Sequence, residues 1–84
     1  MGRPPKEPDL TTYAGRLGAR LRALREERGW SVEEAAAALR GASVDVTDKT
    51  VRNWERGDNT PTIDKLPGIA ATFGVSVDAL LPTE

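Results

Sequence analysis

The most informative segment of this chain is TDKTVRNWERG, residues 47–57. Thr47 is a residue type that begins helices, because its hydroxyl accepts a hydrogen bond from an amide of the first turn. Gly57 is the residue type that most often ends them. Val51 and Trp54 are three residues apart, so both side chains lie on one face of a helix and the polar residues lie on the others. The segment therefore predicts a short helix with one apolar and one polar face.

The polar face of this segment offers side chains that can recognise base pairs. Arginine and lysine donate to guanine, asparagine makes a two-point contact with adenine, and aspartate accepts from cytosine, all in a major groove about 12 Å wide. The four candidate base-reading residues are Asp48, Lys49, Arg52 and Asn53. Thr47 would also bring the helix N-terminus, with its partial positive charge, close to a phosphate. Any exposed helix carries such residues, so a solvated face explains this segment alone equally well.

Helical spacing continues toward the N-terminus. Tyr13, Leu17, Leu21 and Leu24 follow the i, i+4, i+8, i+11 pattern of a buried stripe, which predicts a first helix. Gly29 follows this stripe at a position where a helix end requires a positive φ.

A second helix is predicted between the first helix and residues 47–57. Ser31 and Glu34 form the S-x-x-E pattern of a capping box, which marks the N-terminus of a helix. Trp30 and Ala35 stand at the two positions of a hydrophobic staple. Gly41 would end this helix.

Two further helices are predicted toward the C-terminus. Pro67 fits the first turn of one that ends at Gly74, because deeper in the helix it would remove a hydrogen bond. The apolar residues of this fourth helix, at i, i+3, i+4 and i+7, are Leu66, Ile69, Ala70 and Phe73. Ser76 would cap a fifth helix over residues 77–81, which Pro82 ends.

These patterns together predict an all-α fold of five short helices around one core. The helical domain would span residues 12–82, and the proline-rich, charged residues 1–11 would form a disordered arm.

Composition excludes several classes of function. The chain has 84 residues and contains neither cysteine nor histidine. Thiol nucleophiles, disulfides, Cys/His zinc sites and imidazole bases are therefore excluded, and the carboxylates show no pairing suited to acid–base catalysis. We expect no enzyme activity, no cofactor and no metal. No apolar run approaches the ~18 residues of a membrane span, so we expect a cytoplasmic, nucleoid-associated protein.

The charge balance does not exclude a nucleic-acid partner. The chain carries 12 Lys+Arg against 13 Asp+Glu, but binding depends on the field at one face and not on the total. Within residues 47–57 the cations Lys49, Arg52 and Arg56 outnumber the acids Asp48 and Glu55.

From Leu17 to Leu81 the chain resembles the lambda-repressor and Cro-like helix-turn-helix family of bacterial and phage transcription regulators. The segments that carry the resemblance are LRALREERGWS (21–31), EAA (34–36), TVRNWERG (50–57), NTPT (59–62) and IAATFGVSVDALL (69–81). The resemblance implies a compact five-helix DNA-binding domain whose third helix enters the major groove. It also implies a double-stranded DNA partner.

The resemblance implies roles for individual residues as well. It puts Asp48, Lys49 and Asn53 at base-reading positions, with Arg52 between them, and it pairs Arg25 with Glu55 as a structural ion pair between helices 1 and 3. The residues that it places along the DNA backbone are Ser31 and Val32 through their amides, Arg56, Asn59, Thr60 and Thr62.

Two features depart from the family pattern. Val32 stands where family members usually carry glutamine or another polar residue, so only its amide is suited to a phosphate. The turn between helices 2 and 3 has seven residues, Arg40–Val46, where the family usually has about three. Arg40 would add a phosphate contact from this turn, or it is an ordinary solvated charge.

Residues outside the central helices suggest further contacts. Arg3 and Lys6 lie in a Gly-Arg-Pro-Pro-Lys segment that resembles the core of an AT-hook. This resemblance would place both side chains in a narrow minor groove of the DNA. The alternative is an unstructured terminus without a DNA contact. Val77, Leu80 and Leu81 belong to a helix too short to bury them all, and the resemblance assigns this segment to a dimer contact.

The sequence therefore favours a sequence-specific DNA-binding transcription regulator, a repressor that binds a palindromic operator as a symmetric homodimer. A single recognition helix covers about four base pairs, and two of them ~34 Å apart multiply the discrimination. A protein-binding module of the antitoxin or coactivator type is the alternative, favoured by the acidic total charge and by Val32. A third possibility is that the chain is the DNA-binding half of a longer repressor.

Overall fold

The computed structural model describes residues 10–82 of the chain. This part forms five α-helices and one short 3-10 turn. The helices are α1 (Tyr13–Glu27), α2 (Val32–Gly41), α3 (Asp48–Arg56), α4 (Leu66–Phe73) and α5 (Val77–Leu80), and the 3-10 turn (Ile63–Lys65) leads into α4. The predicted all-α fold with five helices is confirmed. The candidate minor-groove residues Arg3 and Lys6 lie outside the described residues.

The predicted helix ends are present. The Ser31 hydroxyl accepts a hydrogen bond from the amide of Glu34 at 3.1 Å, and the Glu34 carboxylate accepts one from the amide of Ser31 at 2.8 Å, so the capping box is closed in both directions. Thr47 caps α3 by accepting from the amide of Thr50 at 3.1 Å. The glycines after α1, α3 and α4 adopt positive φ, which satisfies the terminal carbonyls without a side-chain clash.

One core holds the helices together. The stripe on α1 is buried at Leu17, Leu21 and Leu24, as predicted, but Tyr13 at its start is 47% exposed and does not belong to the core. The remaining large core side chains come from every other helix and from the α2–α3 connection: Leu39, Val44, Val46, Val51, Trp54, Leu66, Ile69, Phe73 and Leu80.

The crossing of α1 and α3 depends on Gly18. A Cβ atom at this position would overlap the backbone carbonyl oxygens of Trp54 and Glu55. The missing side chain therefore lets the two helix backbones approach closely, and this contact sets the position of α3 on the domain.

The connection between α2 and α3 is an integral part of the core. Helix α2 continues through Gly41, so the connection begins later than predicted and Arg40 lies on the helix rather than in the turn. Val44 and Val46 are both buried, and a Cβ atom at Gly68 of α4 would overlap the Val44 side chain. The extra length of the turn thus adds two valines to the core.

The C-terminal helix differs from expectation at one position. Leu80 is completely buried, so the expectation that it is available for a dimer contact is wrong. Even a four-residue helix can bury its last residue when it packs across α1 and α4. Val77 and Leu81 are half-buried against the edge of the core. No helix within residues 10–82 is long and apolar enough to cross a membrane.

Candidate nucleic-acid interface

Helix α3 separates its residues into a buried and an exposed face. Val51 and Trp54 face the core, where α3 packs against α1 and α2. Lys49, Arg52 and Arg56 project into solvent on the other side. The predicted apolar and polar faces are thus both present.

An ion pair fixes the orientation of α3. Arg25 of α1 donates to both carboxylate oxygens of Glu55, from Nε at 2.6 Å and from Nη2 at 3.0 Å, and its Nη1 donates to the carbonyl of Trp30 at 2.8 Å. Glu55 is 8% exposed, and its hydrogen bonds raise the pKa of Arg25 above its ordinary value. The predicted pair between helices 1 and 3 is therefore present. It ties α3 to both α1 and the residue before the α2 cap.

The predicted base-reading residues are not equally free. Arg52 forms an ion pair with Glu33 of α2, with Nη2 and Oε2 2.5 Å apart. The side-chain oxygen of Asn53 accepts a hydrogen bond from Arg56 Nη2 at 2.7 Å. The Lys49 side chain makes no hydrogen bond or ion pair with another residue in the described part of the chain. The Lys49 side chain can therefore contact a ligand directly. Arg52 and Asn53 can contact a ligand only by sharing or giving up their contacts with Glu33 and Arg56.

The two ends of α3 carry further pairs. At the N-terminal end, Asp48 lies 4.0 Å from Arg40, whose Nη1 also donates to the carbonyl of Val46 at 3.1 Å. At the C-terminal end, Arg56 Nε lies 3.3 Å from a carboxylate oxygen of Asp58. Arg40 thus anchors the α2–α3 connection, and it remains half-exposed beside the start of α3.

The N-terminus of α2 differs from a simple phosphate site. The amide of Ser31 already donates to Glu34, which corrects the expectation that this amide is open to a phosphate. The side chain of Val32 packs against the core. The pKa of Glu33 is lowered, first by a hydrogen bond from its own backbone amide and also by the charge of Arg52. Two carboxylates, those of Glu33 and Glu34, therefore lie in the first turn beside the amide of Val32 that was predicted to contact a phosphate.

The loop after α3 supplies exposed polar groups. Asn59, Thr60 and Thr62 are all exposed, and they lie between α3 and the 3-10 turn. A hydrogen bond from Thr62 lowers the pKa of Asp64 in that turn. Ile63, which lies between Thr62 and Asp64 in the sequence, is 82% exposed. The loop presents hydroxyl and amide groups next to the C-terminal end of α3.

Sequence reasoning did not identify Glu33 or Asp58 as part of this surface. Glu33 lies 19 positions before Arg52, and no local spacing links residues so far apart. Asp58 follows the helix end directly and is close to Arg56 in sequence, which is a signal that could have been used. Within residues 10–82 no group of three or more acidic side chains is arranged to hold a metal ion.

Comparison with known proteins defines the class of this domain. The helix-turn-helix family of the lambda-repressor and Cro type matches residues 21–80, and the chain belongs to this family. The chain is also similar to an HTH-type transcriptional regulator, DdrOP3, of Deinococcus deserti, with 33% identity over 66 residues. The matched region covers 79% of this chain and 47% of that relative, so the chain spans about half the length of the regulator. No solved structure matches the chain.

Proposed function

We propose that this chain is a sequence-specific double-stranded DNA-binding transcription regulator that inserts α3 into the major groove. The observation that carries the proposal is the orientation of α3. Its apolar face is buried, its Glu55 is fixed by Arg25, and its cationic face is left open to solvent. The base-reading residues would be Asp48, Lys49, Arg52 and Asn53, in line with the donor and acceptor patterns of base edges.

The residues around α3 would hold the DNA backbone. Arg56 lies at the C-terminal end of α3, and Thr47 lies at its N-terminus, where a helix favours an anion. The other proposed phosphate contacts are Arg40, the amide of Val32, Asn59, Thr60 and Thr62. These contacts would fix the register of α3 on the duplex without reading sequence.

We further propose that the regulator is a repressor and binds a palindromic operator as a symmetric homodimer. A helix as short as α3 covers about four base pairs, too few to define one site in a genome. Val77 and Leu81, half-buried at the edge of the core, are the proposed dimer contact. Two copies would place their α3 helices in successive major grooves ~34 Å apart.

Selection of bound duplexes from a random pool tests the DNA-binding proposal. We expect a palindrome with two half-sites about one helical turn apart. A dimer that neutralises about eight phosphates should then show a slope near −7 when log affinity is plotted against log salt concentration. Transcription from a promoter that overlaps the selected site should fall as the protein is added.

The carboxylates of Glu33 and Glu34 favour a second candidate, a protein-binding module of the antitoxin or coactivator type. They place negative charge in the first turn of α2, where DNA would bring phosphates. A protein partner predicts no enriched duplex and a much shallower salt dependence of binding. The same selection and salt titration therefore separate the two candidates.

A further inference from the structure

We propose that Glu33 determines the sequence specificity of α3 by holding Arg52 in position to read a guanine. The inference rests on the proposed function and adds a positioning residue to it. Glu33 lies on α2 and Arg52 lies in the middle of α3, so one ion pair joins the two helices of the helix-turn-helix at their exposed edge.

The geometry of the pair leaves Arg52 able to read a base. The contact with Glu33 uses Nη2 of Arg52, with a distance of 2.5 Å to Oε2. A guanidinium has five N–H donors, and a two-point contact with guanine O6 and N7 needs only two of them. The Arg52 side chain is 48% exposed, so its remaining donors can be reached.

The pair also lowers the cost of recognition. A free arginine on a surface samples many rotamers and loses this freedom when it binds, whereas Arg52 is already held in one arrangement. Glu33 lies in the first turn of α2, and its carboxylate contacts Arg52 across the two helices.

The charge of Glu33 directs Arg52 away from the DNA backbone. A phosphate that approached Arg52 from the side of α2 would meet the Glu33 carboxylate, and the two negative groups would repel each other. Guanine O6 and N7 carry only partial negative charge, so this repulsion is much weaker for a base edge than for a phosphate. Lys49, with no partner in the described residues, has no comparable restriction and can contact either bases or phosphates.

The test compares Glu33→Ala with Glu26→Ala. Glu26 forms an exposed pair with Arg22 on α1, so the control removes the same charge and one Arg–Glu contact of similar exposure. The preferred duplex is first selected with the unaltered protein, and the position whose guanine preference disappears in Arg52→Ala is then identified. Affinities of each variant are measured for that duplex, for duplexes substituted at that position, and for random DNA.

We expect Glu33→Ala to lose about five-fold or more of the guanine preference at the Arg52 position while its affinity for random DNA stays the same or rises. Glu26→Ala should keep the preference, and Glu33→Ala should cause no further loss in an Arg52→Ala background. Survival of the guanine preference in Glu33→Ala overturns the inference. The inference is also overturned when Arg52→Ala leaves the guanine preference unchanged at every position of the duplex. Failure of the unaltered protein to enrich any duplex would instead overturn the proposed function, so the two failures are distinguishable.

Discussion

At the level of single residues, the ion pair between Arg25 and Glu55 orients the exposed face of α3, although neither residue lies on that face. Both carboxylate oxygens of Glu55 accept from the guanidinium, and the third arginine nitrogen binds the Trp30 carbonyl. A largely buried carboxylate without this partner would be strongly disfavoured. Together with the buried Val51 and Trp54, the pair therefore holds the inner side of α3 against the domain and leaves its polar face outward.

Replacing Arg25 by alanine should lower the free energy of unfolding by about 3 kcal/mol, because it leaves the carboxylate of Glu55 unpaired in the protein. Urea unfolding monitored by circular dichroism measures this change. Glu26→Ala, which breaks an exposed pair on the same helix, should have little effect. Equal stability of the two variants would show that the pair does not stabilise the fold.

Lys49 allows the cleanest test of base reading by a single side chain. It has no partner among the described residues, so Lys49→Ala removes a potential DNA contact without disturbing another residue. We expect a loss of about 1–3 kcal/mol for each half-site of the selected duplex and a much smaller loss on random DNA. Fluorescence anisotropy with both duplexes measures the difference. Equal losses would assign Lys49 to the backbone.

Arg56 should behave differently from Lys49. A phosphate contact carries no base information, so Arg56→Ala should weaken binding to all duplexes alike and reduce the salt slope by about one per bound protomer, about two for the proposed dimer. The hydrogen bond from Arg56 to Asn53 adds a complication, since its loss also frees the Asn53 amide. A change confined to the selected site would show that Arg56 acts through Asn53.

At the level of elements, the approach of α1 to α3 is set by a glycine. Gly18→Ala would press a methyl group against the carbonyl oxygens of Trp54 and Glu55, and backbone atoms cannot move aside as a flexible side chain can. We expect a loss of about 1–3 kcal/mol. Gly41→Ala is the matched control, because nothing lies within 4 Å of its added Cβ.

Thermal unfolding of the two glycine variants measures the difference. Gly41→Ala should be neutral or slightly stabilising, since alanine has the higher helix propensity. If Gly18→Ala unfolds at the same temperature as the unaltered protein, the contact between α1 and α3 accommodates a methyl group and does not depend on glycine.

The elements also show how much of this fold a sequence can predict. Spacing and capping patterns predicted all five helices, because both signals act within a few residues, as at Ser31 and Glu34. The burial of Val44 and Val46 in an irregular connection was not predicted, since it depends on the position of α4. The pair between Glu33 and Arg52 was missed for the same reason: only the packing of α2 on α3 brings the two residues together.

At the level of the whole molecule, charge is distributed so that a net charge of −1 coexists with a cationic α3 face. Two of the three cations of that face lie beside carboxylates, with Glu33 next to Arg52 and Asp58 next to Arg56, while the Lys49 side chain has no such partner within residues 10–82. A ligand that contacts Arg52 or Arg56 must therefore compete with these carboxylates. With DNA as the proposed ligand, we expect this arrangement to give weak binding to random DNA and a strong dependence on the correct bases.

The proposed dimer gives the last prediction, which contrasts two neighbouring leucines of the C-terminal segment. Leu80 is completely buried within one copy, so Leu80→Ala should cost about 2–5 kcal/mol of stability whether or not a dimer forms. Leu81 is only half-buried, and Leu81→Glu should weaken pairing by placing a charge in an apolar contact. Sedimentation of the protein with a palindromic duplex should then show the two protomers binding independently instead of cooperatively as a dimer (joint binding). The affinity for a single half-site should be retained. Ala71→Glu, which adds the same charge on an exposed position of α4, should leave joint binding intact. Joint binding by Leu81→Glu would move the dimer contact elsewhere on the domain.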